Sequence, residues 1–141
     1  MEFVDLGLSV KWATCNIGAT NPEDYGYDFP NNEGIAFTDT DSIKVPTVEQ
    51  AEELCKECSW EIVTHKKGKY EWKVTGKNGK FILLPASHKE YDVEWKVGNY
   101  KVKDDHYITF GKYAHGVNDK CDVICNIRPI KVPKAKYKRN S

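Results

Sequence analysis

The sequence predicts an α+β domain in which short antiparallel strands carry one or two helices and long connections. Three observations predict it. Apolar residues recur with a period of two in short runs, as at Leu6, Leu8, Val10 and Trp12. One stretch, VPTVEQAEELCKECSW, combines helical periodicity with a capping signature. A turn-forming Gly76-Lys77-Asn78-Gly79 separates two strand-like runs. At 141 residues the chain is long enough to bury a core as one domain.

In chain order, residues 3–13 read as a half-buried strand. Residues 16–42 hold Glu23, Asp24, Asp28, Glu33, Asp39 and Asp41 and no Lys or Arg, with Gly, Pro and Asn scattered among them. That composition predicts a long, acidic, irregular excursion. Thr47 is the helix N-cap, and Gln50 completes a capping box. Val48, Ala51, Leu54, Cys55 and Cys58 then share one face, and Glu49, Glu52, Glu53 and Lys56 the other, with the helix ending near Glu57.

Tyr70, Trp72 and Val74 alternate with polar residues to make the first arm of a hairpin. The second arm, 81–84, is almost continuously apolar and is expected to be buried on both faces. Further strands are expected at 91–97, at 107–110 and within 121–129, where Val123, Cys125 and Ile127 alternate. From Lys131 the composition changes to KVPKAKYKRNS, with five basic residues and no acid. The expected organisation is a domain over 1–130 and a basic C-terminal tail over 131–141.

The 21 basic and 21 acidic residues balance, so overall charge favours no class of partner. No stretch approaches the roughly 20 apolar residues of a membrane helix, and no membrane insertion is expected. The N-terminus has no charged leader or apolar run of the secretory kind. Five cysteines cannot all pair within one chain, and without a leader reduced thiols are the expectation.

Four blocks carry a resemblance. VDLGLSVKWATCNIGA is followed by PEDYG, then by VPTVEQAEELCKECSW, by EWKVTGKNGKFILLPAS, and by HYITF ahead of NIRPI. This order resembles the major paralogous domain family of Bacteroidetes surface proteins (the Fibrobacter succinogenes major paralogous domain type). That family is related to the C-type-lectin-like fold shared with formylglycine-generating enzymes. The resemblance spans most of the first 130 residues and implies a C-type-lectin-like domain. Ala51 stands where the family usually has Trp, and the exposed segments depart most from the family pattern.

The chemistry-bearing residues also have structural readings. Cys55-x-x-Cys58 with Cys121-x3-Cys125 could supply four thiolates to zinc. Both helical cysteines lie on the apolar face, however, and a buried-core role is favoured. The late cysteine pair also invites comparison with the copper-binding pair of formylglycine-generating enzymes, but the Arg-Gly-Gly-Ser-like segment that accompanies it there is missing. His65, His88, His106 and His115 have no Ser or Cys in a nucleophile-elbow pattern. The carboxylates of NPED and TDTDS read as a solvated loop rather than a calcium site. The chain is therefore expected to be no enzyme and to carry no cofactor or metal.

The residues expected to bind a partner are Lys131, Lys134, Lys136, Lys138 and Arg139. Only Tyr137 interleaves them, so no nucleic acid is expected. The resemblance, taken with the missing leader, implies a binding or display module on an exterior surface. The leading expectation is a bacteriophage virion protein, such as a capsid decoration, head fibre or tail-associated module. Made in the host cytoplasm, it would assemble in many copies with other virion proteins. The alternative is a bacterial cell-surface adhesin module for a glycan or protein, and a copper-dependent cysteine oxidase is a distant third.

Overall fold

Residues 1–29, 37–66, 69–86, 96–112, 115–119 and 123–133 are described by a computed structural model, with only the backbone of 65 and 66. The chain opens with a hairpin, β1 (Phe3–Val4) and β2 (Lys11–Ala13), paired at Phe3–Ala13 and Val4–Trp12. The single strand expected over 3–13 is thus two short strands joined by a loop. The alternation misled because Leu6 and Val10, which lie in the loop, are as buried as strand residues. β3 (Ile43–Lys44) and β10 (Ile130–Lys131) complete a four-stranded antiparallel sheet in the order β1-β2-β10-β3.

Helix α1 (Val48–Glu57) starts where its capping box predicts. Thr47 Oγ1 accepts from the Gln50 amide at 3.2 Å, and Gln50 Oε1 accepts from the Thr47 amide at 2.9 Å. Two of the helix's orphan amide donors are thereby satisfied. Ala51, Leu54 and Cys55 are buried, and Cys58 takes an extended conformation as the C-cap. Among the described residues α1 is the one helix.

The chain turns directly from α1 into β4 (Ser59–Lys66), a strand that sequence reading did not assign. β4 pairs with β5 (Lys69–Thr75), and β5 with β6 (Phe81–Pro85), as a second antiparallel sheet. The β5–β6 turn is the expected one. The Gly76 amide donates to the Lys80 carbonyl at 2.8 Å, and Gly79 takes a φ of 85° that favours glycine. β6 differs from expectation, because only one of its faces enters the core. Ile82 and Leu84 are buried, whereas Phe81 is 45% exposed and Leu83 is half-buried.

The third sheet is β7 (Gly98–Val102), β8 (His106–Phe110) and β9 (His115–Asn118). β7 and β8 meet through a connection in which Asp104 and Asp105 both take positive φ, near 60°. Asp tolerates this region better than most residues. The strand expected at 91–97 falls largely outside the described residues, and β7 begins at Gly98. Segment 123–129 forms isolated bridges rather than a regular strand: Cys125 pairs with Phe29, and Asn126 with Tyr100.

One core joins all three sheets to the helix. Trp12 and Ile130 from the first sheet, Val74, Ile82 and Leu84 from the second, and Tyr100, Ile108 and Phe110 from the third pack with Leu54 of α1. Replacing Leu54, which is fully buried, by Ala is expected to cost about 2–5 kcal/mol. Thr47→Ala should cost about 0.5–2 kcal/mol through the lost cap. Urea unfolding of the two variants checks both, and wild-type behaviour of Leu54→Ala would show that the helix face is misplaced.

Candidate functional site: the root of the basic segment

The basic segment begins inside the fold. Lys131 lies in β10, paired with Lys11 of β2 on one side and Ile43 of β3 on the other. The Val132 amide then donates to the Ser42 carbonyl at 3.2 Å. The domain boundary expected after residue 130 therefore runs through β10. The Lys131 side chain is exposed, with Nζ 5.7 Å from the centre of the Phe3 ring. The other four residues expected to bind a partner, Lys134, Lys136, Lys138 and Arg139, lie outside the described residues.

The acidic stretch of residues 16–42, opposite in charge to this segment, is partly used within the molecule. Asp24 pairs with Lys69 at 3.6 Å, and Asp28 accepts from Asn126 Nδ2 at 3.2 Å. Asp39 accepts from the Val45 amide at 2.9 Å and forms an ion pair with Lys103. Glu33 lies outside the described residues. Glu23 and Asp41 are the carboxylates of the stretch with no partner among the described residues, and Asp41 is next to Ser42, where the basic segment leaves the sheet. A second acidic surface is the outer face of α1, where Glu49, Glu52, Glu53 and Glu57 line a shallow recess around Lys56. Its helical spacing was legible in sequence, but nothing there marked it as a complement to the basic segment.

The chemistry-bearing residues are built into the packing. Burial pushes the Cys55 thiol up to about 12, with the neighbouring Cys58 adding to it. Burial, together with Glu53 and Glu57, pushes Cys58 up to about 11. Both are therefore thiols rather than nucleophilic thiolates at neutral pH. Cys15 is a free thiol, Cys125 is buried with its Sγ 3.7 Å from the Val123 carbonyl oxygen, and Cys121 lies outside the described residues. The His115 ring stacks on Trp60 at 4.8 Å, with Nε2 3.0 Å from the Cys55 carbonyl. His106 Nδ1 lies 2.7 Å from the Asp104 carbonyl at the β7–β8 connection. His88 lies outside the described residues, as does the side chain of His65, whose backbone belongs to β4.

No family model, curated protein or solved structure matches the chain.

Burial opposes ionisation of Asp39, but the bonds from Lys103 and from the Val45 amide outweigh it and hold the carboxyl below its ordinary 3.8. The stabilisation is thus fully present above that ordinary value and is lost as pH falls through the lowered one. Both partners are partly solvated, so it should amount to no more than about 1 kcal/mol. Asp39→Asn should be less stable than wild type at neutral pH, with the difference shrinking as acid is added. A constant difference across an acid titration of urea stability would show that the pair does not act this way.

Proposed function

We propose that the chain is a non-enzymatic binding and display domain, C-type-lectin-like in fold, carried on the exterior of a bacteriophage particle. The basic segment from Lys131 to Arg139 attaches it to an acidic surface of a neighbouring virion protein. The observation that carries this reading is the position of Lys131. It sits in a strand hydrogen-bonded on both sides, so a pull on the segment is taken up by β2 and β3 together rather than by a loose end. The burial of the Cys55 thiol and the stacking of His115 on Trp60 favour structural over catalytic roles for them.

Attachment of this type is modest for each contact and is multiplied by repeated copies. Complementary charge steers docking and fixes its register more than it adds raw affinity. Because residues 131 and 132 are bonded into the sheet, the informative truncation removes 134–141 and leaves β10 intact. The truncated protein should fold as wild type does and be missing from purified particles in a mass-spectrometric inventory. The full-length protein should be released as salt is raised, since exposed charges are screened over about 10 Å at 0.1 M. Normal occupancy of the truncated protein, with attachment insensitive to salt, would contradict the proposal.

A further inference from the structure

We propose that the outer edge of β6 and the slot beside it bind an extended, acidic peptide segment of a partner protein by strand addition. This surface is separate from the root of the basic segment and does not depend on the attachment described above.

β6 is the outermost strand of its sheet, and among the described residues no strand pairs with its second edge. Alternate backbone groups along such an edge point outward and can accept another strand. Among the described residues the edge is shielded at its ends. Lys80 precedes it, and Pro85, whose carbonyl already accepts from Tyr100 Oη at 2.8 Å, closes it. Phe81, Ile82, Leu83 and Leu84 remain between them.

Beside this edge lies a slot of about 150 Å³ between Thr14 and Pro22 on one wall and Phe81, Ile82 and Leu83 on the other. It suits one aliphatic side chain. Thr14 and Pro22 also border a second recess, of about 510 Å³, whose other lining residues include Met1, Glu2, Cys15 and Thr20. Its one carboxylate, Glu2, is not part of the lining of the slot, where Phe81 and its lysine-bearing rim lie. A strand laid on β6 presents every second side chain to one face, which is the spacing an apolar slot beside an edge can read. A helix would leave the outward backbone groups of β6 unpaired.

Charge selects the partner. Lys73 Nζ lies 4.4 Å from the centre of the Phe81 ring, and Lys77 and Lys80 are exposed in the adjoining turn. Lys73 and Lys77 reach Glu61 and Glu57 only at 3.9 and 3.6 Å across exposed surface. Such pairs are weak and readily exchanged. Lys80 has no ion-pair partner among the described residues. The rim at Phe81 therefore favours carboxylates on the incoming segment. It disfavours the basic segment of a second copy, and it disfavours a second copy's own β6, which would bring its lysines to the same rim.

The test uses the full-length chain and short fluorescent peptides in an anisotropy titration. One peptide alternates valine with glutamate and threonine. A second carries lysine for glutamate, and a third is the acidic peptide N-methylated on alternate amides. The acidic peptide should saturate below about 1 mM, the weak affinity expected of a small interface, and the other two should not. Lys80→Glu and Phe81→Ser, both at exposed positions, should each weaken it roughly tenfold while leaving the circular dichroism spectrum unchanged. Removing 134–141 should leave it unaffected. Equal binding of the lysine peptide, retained binding of the N-methylated peptide, or no binding of the acidic peptide to the folded chain would each overturn the proposal.

Discussion

The guanidinium of Arg128 is fully buried and begins a polar network that reaches all three sheets. Its Nε donates to Asn16 Oδ1 at 2.7 Å and its Nη1 to the Ala13 carbonyl at 3.0 Å. Asn16 passes the connection on, with Nδ2 3.0 Å from the Tyr25 carbonyl and 3.1 Å from Tyr100 Oη. Tyr100 in turn donates to the Pro85 carbonyl at 2.8 Å and stacks on Phe110 at 5.6 Å. One network therefore touches the end of β2, the end of β6, the middle of β7 and the approach to β10. Burial works against its members: it draws Arg128 down to about 10 and pushes Tyr100 up to about 12. Arg128 Nη2 is buried with no hydrogen-bond partner among the described residues, whereas the other polar groups of the network depend on one another, so removing one member strands its partners.

That constraint explains why the acidic excursion after β2 is not a loose loop where it is described. Asn16 anchors its start, the Ile17 amide donates to the Ile127 carbonyl at 2.9 Å, and the Tyr27 amide donates back to Ile17 at 2.9 Å. Phe29 and Cys125 then exchange two backbone bonds of 2.7 Å. Pro22 is thereby held opposite Phe81, which forms the slot beside β6. The segment 123–129 is fixed by the same contacts and delivers the chain into β10, where the basic segment starts. Both exposed surfaces with a proposed role thus inherit their geometry from one interior network.

Much of this was readable from sequence where the signal is local. The Thr47–Gln50 box, the apolar helix face and the Gly76–Gly79 turn depend on residues a few positions apart, and each is present. Signals that depend on distant partners were not readable. Phe81 looked as buried as Ile82, because nothing local shows that only one face of β6 is covered by the core. Nothing local marks Arg128 as a buried residue, since its partner Asn16 lies 112 positions away. Lys131 looked like tail for the same reason, its strand partners being Lys11 and Ile43. Of the candidate site, sequence supplied the basic residues but not where the first of them is rooted.

The most direct measurement of the interior network is a double-mutant cycle on Arg128→Met and Tyr100→Phe, read by urea unfolding. The two side chains communicate through Asn16 rather than by a bond of their own. If the network acts as a unit, the double variant should depart from the sum of the single ones by about 1 kcal/mol or more. Additivity to within about 0.5 kcal/mol, with all three variants folded, would mean that Arg128 and Tyr100 are independent buried groups and that the three sheets are held together by apolar packing alone.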